Sequence, residues 1–160
     1  MELILPDEAA TIAAGAVLAR ALPELRRHSL LLALSGELGS GKTTLARGLL
    51  RALGVDGTIR SPTYTLVEPY ETARGTVHHL DLFRLRDGTT ELESLGYRDL
   101  RAMAGLVMVE WPERAGSALG APDLQATLTA QDAGRRLVIA AAGRAGRNWL
   151  AAVSRGAVSS

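Results

Sequence analysis

The sequence predicts an α/β fold: a mainly parallel central sheet flanked by helices, with antiparallel strands added to it. Three observations carry this. Ser29–Ser35 (SLLLALS) is an unbroken apolar run of strand length, as a strand buried on both faces requires. A glycine-rich turn follows at once and opens Lys42–Leu53, where Leu45, Leu49, Leu50 and Leu53 fall at helical spacing. Gly105–Val109 is a further apolar run, so buried strands alternate with helical stretches, as in parallel α/β sheets.

Taken in order, Glu2–Leu5 reads as a short strand. Pro6-Asp7 then starts a helix with Asp7 as its N-cap, running through Ala, Ile, Val and Leu to about Leu22. After the buried strand and the Lys42–Leu53 helix, Gly54 supplies the helix stop. Thr63–Glu71 and Thr76–Phe83 alternate like two strands joined by the turn Ala73-Arg74-Gly75. Thr89–Met103 has helical character with a break at Gly96, and Gly105–Val109 is a strand that ends at Glu110. Leu124–Thr129 and Arg136–Ala142, separated by Gln131-Asp132-Ala133-Gly134, form a second hairpin, and a last helix surrounds Trp149. No internal repeat and no Pro-, Gly- or Ser-rich linker divides the chain, and 160 residues suit one core better than two, so residues 1–160 are read as a single domain.

Composition narrows the function classes. With 47% hydrophobic and 22% charged residues the chain is of ordinary globular make-up. A formal net charge of +1 provides no strong field for DNA or anionic lipid. One local bias exists: Ala133–Ser160 carries Arg135, Arg136, Arg144, Arg147 and Arg155 and no acid, a solvated basic end by the simpler reading, an RNA or acidic-partner contact by the other. The absence of cysteine excludes disulfides, thiolate catalysis and cysteine-ligated metal sites. Glu2, Asp7 and Glu8 precede the Ala-rich stretch, the wrong charge order for a secretory signal, and no apolar run reaches membrane-spanning length. A cytoplasmic protein that does not engage membranes is expected.

The glycine-rich turn is itself a motif. Gly36-Glu37-Leu38-Gly39-Ser40-Gly41-Lys42-Thr43 fits G-x-x-x-x-G-K-[ST], a phosphate loop, at a strand-to-helix junction, the context that such a loop needs. Lys42 is the only lysine of the chain; the other 17 basic residues of the Lys+Arg total of 18 are arginines. A compact ammonium on a flexible stem folds back over phosphates better than a wide planar guanidinium does. In such a loop, backbone N–H groups around Gly36, Leu38, Gly39, Ser40 and Gly41 wrap the phosphates and the helix N-terminus adds its dipole. Lys42 reaches the β- and γ-phosphates, and the Thr43 hydroxyl coordinates Mg²⁺. Thr44 is placed for helix packing or a phosphate contact. A nucleoside triphosphate, ATP with Mg²⁺, is the expected ligand. GTP is disfavoured, because an Asn-Lys-x-Asp base-reading motif needs a second lysine.

A phosphate loop needs an acid on a neighbouring strand. Glu110 closes Leu106-Val107-Met108-Val109 in the form of a Walker B segment, and Asp81 lies in His79-Leu80-Asp81-Leu82-Phe83-Arg84. His79 and Asp81 share a face at strand spacing. With three histidines in the chain and no further ligand at suitable spacing, His79 is read as structural or supporting, not as a transition-metal ligand. Ser61-Pro62-Thr63-Tyr64-Thr65 places three hydroxyls on an extended segment that Pro62 stiffens. It occupies the position of a γ-phosphate sensor in nucleotide switches, or else is the plain entry to a strand. Trp111 follows Glu110, either stacked at the nucleotide or in the core.

Together, GELGSGKTTLARGLLRALG, SPTYTLVEPYE, HHLDLFRL, LESLGY and VMVEWPER resemble, in order, the motifs of the TsaE (formerly YjeE) family of small bacterial P-loop ATPases, over roughly Leu30 to Arg114. Tyr64 and Phe83 each replace one aromatic by another. The resemblance implies a P-loop NTPase-like fold and a role in making threonylcarbamoyladenosine in tRNA. It also implies weak ATP hydrolysis, linked to a TsaD–TsaB pair through which tRNA is engaged indirectly. By the same resemblance Lys42 and Thr43 are the phosphate and magnesium residues, Asp81 and Glu110 the two acids, and Thr65 with its neighbours the switch-like segment. Which acid orients water stays open, with Glu110 favoured near the metal. The alternative is a nucleotide-gated regulatory module in which hydrolysis is incidental. A small-molecule kinase is weaker, since a chain of 160 residues leaves little room for a lid and acceptor pocket.

Overall fold

In a computed structural model that describes residues 1–131 and 133–157, the chain forms one seven-stranded mixed sheet with helices on both faces. The strands are β1 (Glu2–Leu5), β2 (Ser29–Ser35), β3 (Val67–Thr72), β4 (Gly75–Asp81), β5 (Gly105–Glu110), β6 (Leu124–Gln131) and β7 (Gly134–Ala141). The helices are α1 (Glu8–Arg20), α2 (Lys42–Ala52), α3 (Gly88–Ser94), α4 (Tyr97–Ala102) and α5 (Gly143–Ala157). A 3₁₀ segment, Pro112–Leu119, follows β5 and is kinked at Gly116.

The strand order is β1-β7-β6-β2-β5-β4-β3. The centre, β6-β2-β5-β4, is parallel, and β3, β7 and β1 are antiparallel additions at its two edges. Parallel pairing sends the C-terminal ends of β2, β4, β5 and β6 to one edge of the sheet, where ligands bind in open α/β folds. β2 explains why its sequence is apolar throughout. Leu30, Leu32 and Leu34 pack with α1, α2 and α5, whereas Leu31 faces the cluster of Leu92 and Tyr97 on α3 and α4. Both faces of the strand are thus covered, and truncating any of these leucines to alanine removes a contribution of about 2–5 kcal/mol.

α2 is held on α1 by two glycines. A Cβ at Gly15 would lie 2.2 Å from the Leu45 carbonyl oxygen, and one at Gly48 2.2 Å from that of Ile12. The helix that opens at the phosphate loop is therefore pressed backbone to backbone on its neighbour. Asp7 caps α1 as expected, accepting from the Ala10 N–H at 2.7 Å. Among the described residues no helix is long and apolar enough to cross a membrane.

Two expectations need correction. The strand expected from Thr63 starts at Val67, because Leu66 N–H closes a turn onto the Pro62 carbonyl at 2.7 Å and the hydroxyls of Ser61 and Thr63 turn toward Asp81. Pro69 is tolerated in β3 because β3 is an edge strand. The partner strand ends at Asp81 and not at Phe83, since the Asp81 carboxylate accepts from the Phe83 N–H at 3.0 Å and turns the chain. The basic stretch after Ala133 contains β7 and α5, as expected; its Arg136, Arg144, Arg147 and Arg155 are exposed to solvent, while Trp149 is fully buried. Asp132 in the hairpin turn and Val158–Ser160 lie outside the described residues.

Candidate functional site

The sheet topology delivers four segments to one place: the turn after β2, the ends of β4 and β5, and the β6–β7 hairpin. They line a cleft of about 300 Å³ that includes Leu38, Gly39, Gly41, Lys42, Thr43 and Thr44 from the loop and first turn of α2. Ser61, Thr63, Asp81, Phe83, Glu110, Trp111 and Arg135 complete it.

The loop is built by backbone conformation. Gly36, Gly39 and Gly41 have φ of 141°, 77° and 104°, values that side chains rarely allow. A Cβ at Gly36 would also fall 2.3 Å from the Leu128 carbonyl oxygen on β6. Gly41 is the N-cap of α2 and provides no side chain to cap it, so the N–H groups of the first turn remain free for an anion. Ser40 is buried and its Oγ has no hydrogen-bond partner among the described residues. Leu38, at the loop tip, is 79% exposed.

Lys42 is 4% exposed and folds back over the loop, as its residue type suggested. Its Nζ donates to the carbonyls of Gly36 (2.7 Å) and Glu37 (2.9 Å) and stands 3.9 Å from the centre of the Trp111 ring. Burial lowers its pKa below the ordinary lysine value, while Glu110, Glu113 and Asp81 act in the opposite sense.

Asp81 and Glu110 are adjacent in register on β4 and β5, and both are buried. Glu110 is the meeting point of the site. Thr43 Oγ1 lies 3.0 and 2.9 Å from its two carboxylate oxygens, His79 Nε2 lies 2.9 Å from Oε1, and Ser61 Oγ is 3.2 Å from the same oxygen. The buried Nδ1 of His79 has no hydrogen-bond partner among the described residues. Asp81 holds the other segment: Oδ2 accepts from Ser61 Oγ (2.5 Å) and Thr63 Oγ1 (2.8 Å), while Oδ1 accepts from the Phe83 N–H.

Two non-glycine residues with left-handed backbone flank these groups, Leu66 (φ 64°) after the Ser61–Thr65 segment and Trp111 (φ 59°) after Glu110. Such conformations cost about 1–3 kcal/mol each and persist where surrounding contacts enforce them. At Trp111 the twist lays the indole beside Lys42 and against Phe83, with ring centres 4.9 Å apart.

Most of the residues singled out in the sequence therefore converge. Thr65 does not: it is exposed and lines a neighbouring groove of about 480 Å³ with Thr58, Arg60 and Tyr64, sharing only Ser61 and Thr63 with the cleft. Arg135 was missed. Its place in a basic stretch marks nothing, and only the return of β7 beside the loop brings it in.

The donor set fits a nucleotide and a magnesium ion. Glycines at backbone angles that side chains rarely adopt and a helix N-terminus with no side-chain cap suit phosphates. Thr43 and Glu110 offer hard oxygens at one point, which suits Mg²⁺ held by one or two protein groups together with phosphate oxygens. Among the described residues there is no group of three or more His, Cys, Asp or Glu that would cage a metal by itself.

Comparison with known proteins gives a family and a fold. The family model described as threonylcarbamoyl adenosine biosynthesis protein TsaE matches residues 5–138. The tRNA threonylcarbamoyladenosine biosynthesis protein TsaE of Haemophilus influenzae is 36% identical over 151 residues, covering 94% of this chain and 95% of that protein. The protein of the same name from Synechocystis is 42% identical over 118 residues, 71% of each chain. The crystal structure of Bacillus subtilis YdiB superposes with a TM-score of 0.78 at 24% identity, covering 97% of this chain and 94% of that one, a likeness of fold.

Proposed function

The chain belongs to the TsaE family, the proteins of tRNA threonylcarbamoyladenosine biosynthesis, and from that premise we propose that it is the ATP-binding and ATP-hydrolysing component of that machinery, acting with a TsaD–TsaB pair. The observation that carries this reading is the convergence on one cleft of the phosphate loop, Lys42, Thr43 and two buried carboxylates on adjacent parallel strands. The backbone from Gly36 to Thr44 cradles the phosphates. Lys42 exchanges the Gly36 and Glu37 carbonyls for β- and γ-phosphate oxygens.

Thr43 and Glu110, already in contact, would hold Mg²⁺. When bound, the ion supplies neutralising charge to the phosphate oxygens. Glu110 then occupies the metal side, with His79 and Ser61 fixing its carboxylate. That leaves Asp81 to hold the Ser61–Thr65 segment and to orient the attacking water. Ser61 and Thr63 are the hydroxyls that stand at the acids, and Thr65 takes part through the segment that it shares with them. The arginine that lines the cleft, Arg135, enters from β7, on the other side of β2 from the strands of Asp81 and Glu110, so the charge that speeds phosphoryl transfer elsewhere is assigned to the partner pair.

The test is phosphate release from ATP by the purified chain, alone and with TsaD–TsaB, with Lys42→Ala as the blank. Stimulation by the pair that is lost in Lys42→Ala, together with at least about a 100-fold loss of ATP affinity in that variant, is the expected result. Equal rates with and without a pair shown to bind would overturn the partnership, and unchanged affinity in Lys42→Ala would overturn the site. As Lys42 is the sole lysine, its acylation is mapped against the N-terminal amine alone, and MgATP should protect it.

A further inference from the structure

The last helix carries a charge pattern that the nucleotide site does not use. α5 contains Arg144, Arg147 and Arg155 and no acid, on a chain whose formal net charge is only +1. Gly146, Trp149 and Val153 are its buried positions. The opposite stripe is therefore Arg144, Asn148, Ala151 and Arg155, with Arg147 on its flank, and all five are exposed. From Arg144 to Arg155 the stripe runs about 16 Å along the helix axis.

The cations of α2 and α4 are engaged. Lys42 donates to the loop carbonyls, Arg47 pairs with Glu8, and Arg51 donates to the Val55 and Gly57 carbonyls. Arg98 pairs with Glu93, and Arg101 donates to Ser29. The acids nearest to α5 along β1 and α1 are taken as well, Glu2 by Arg136 and Glu8 by Arg47. Among the described residues, by contrast, no carboxylate pairs with Arg144 or Arg147, and neither makes a side-chain hydrogen bond. Arg144 also lies in the first turn of α5, where the helix dipole disfavours a cation and no acid offsets it. Unpaired cations placed against local stability are where a functional constraint is expected.

The helix is held firmly behind this face. A Cβ at Gly146 would lie 2.0 Å from the Asp123 carbonyl oxygen, and Trp149 Nε1 donates to the Leu18 carbonyl at 3.1 Å. Asp123 immediately precedes β6, which is parallel to β2, so α5 starts at the edge of the sheet opposite the phosphate loop. An occupant of the arginine face leaves the nucleotide cleft open. The stripe has no large apolar anchor, so it suits a polyanion whose charges recur along a line better than an apolar partner segment. Resting on the tRNA-modification reading above, we propose that α5 is an RNA-docking surface, with Arg144, Arg147 and Arg155 on backbone phosphates of the tRNA. Each guanidinium fork can make two parallel hydrogen bonds to phosphate oxygens. Such contacts position the RNA without reading its sequence. The tRNA then touches this chain directly, and not only through the partner pair.

The experiment measures binding of a labelled, unmodified tRNA transcript to the full chain by fluorescence anisotropy at about 50 and about 200 mM salt. The variants are the double substitution Arg144→Gln with Arg147→Gln, the same pair changed to lysine, and Arg98→Gln as a surface-charge control, with thermal unfolding and ADP affinity of each. The unsubstituted chain should bind with a dissociation constant of about 10⁻⁶ to 10⁻⁴ M. The glutamine pair should weaken RNA binding about 10-fold at the lower salt and reduce the log–log salt slope by about 1–2, and the lysine pair should recover most of that loss. Arg98→Gln should change RNA affinity, and the glutamine pair should change ADP affinity, by less than about 2-fold. Unchanged RNA affinity and slope in the glutamine pair would overturn the docking surface. Polyglutamate bound as tightly as tRNA, with the same loss in the glutamine pair, would overturn RNA as the occupant and make it an acidic protein. No tRNA binding by the unsubstituted chain, with phosphate release still stimulated by TsaD–TsaB, would overturn the surface and leave the ATPase reading standing. Loss of both tRNA binding and stimulation would remove that reading too.

Discussion

The phosphate loop and the Ser61–Leu66 segment face each other across one cleft and are held in opposite ways. The loop is fixed by the fold. It leaves β2, which is paired on both sides, and enters α2, whose Gly48 meets α1 so closely that a single methyl would overlap a carbonyl oxygen. Its carbonyls are tied by Lys42, and its backbone takes turns reserved for glycine. The segment has no ladder. It is attached through the hydroxyls of Ser61 and Thr63, the turn bond from Leu66 to Pro62 and a backbone bond from the Asp81 N–H to the Leu66 carbonyl, and Tyr64 stands 84% exposed. Each such bond contributes about 1–3 kcal/mol, which a phosphate or a metal ion can exchange. A rigid half grips what every nucleotide has; a half held by a few side chains is free to respond to what differs.

The strongest way to break this comparison is at Glu110, where the two halves meet through Thr43 and Ser61. Glu110→Gln keeps the volume and removes the charge. Turnover should fall by about 10²- to 10³-fold while ADP affinity stays within about 5-fold, measured by phosphate release and by dialysis. An equal loss in both would place Glu110 in the loop's grip on nucleotide and erase the division between a binding half and a responding half.

The same division decided what was legible in the sequence. The phosphate loop, β2 and α2 were readable because they are local: six glycine-rich residues between an apolar run and a helical period. Glu110 and Asp81 were readable because each ends a strand, β5 beside the loop strand and β4 beside β5. The β6–β7 hairpin and the break at Gly96 were equally plain, as the left-handed backbone of Gly96 at φ 70° requires glycine's freedom. What stayed hidden depends on contacts distant in sequence. The turn at Pro62–Leu66 exists because Asp81, on another strand, takes the hydroxyls that alternation alone would assign to a strand. His79 shares a face with Asp81, as the spacing says, but its bond to Glu110 required the register of β4 on β5. Arg135 required the edge pairing of β7 with β1 and β6, which no period encodes.

A smaller effect sharpens the comparison from the other side. Asp81→Asn leaves one acceptor oxygen and no charge for Ser61 and Thr63. Turnover should drop by about 10- to 50-fold with ADP affinity within about 3-fold, and amide hydrogen exchange should quicken in residues 61–66. Exchange in residues 36–44 should not change, because that backbone depends on no bond to Asp81. Faster exchange in both stretches would mean that the loop is held by the segment after all.

The smallest effect separates two threonines of one segment. Thr63 Oγ1 donates to Asp81 at 2.8 Å, whereas Thr65 is exposed and makes no side-chain hydrogen bond among the described residues. Thr63→Val deletes that bond at nearly constant volume, and turnover should fall about 3- to 10-fold. Thr65→Val should change it less than about 2-fold, as at a free surface position. Because Ser61 shares the same carboxylate oxygen, Thr63→Val leaves the segment half attached, and its effect should stay below that of Asp81→Asn. The reverse order, with Thr65→Val the more damaging, would show that the segment turns over on nucleotide binding and brings Thr65 to the phosphates. The segment would then respond by exchanging one hydroxyl for another, a larger motion than loosening its bonds to Asp81.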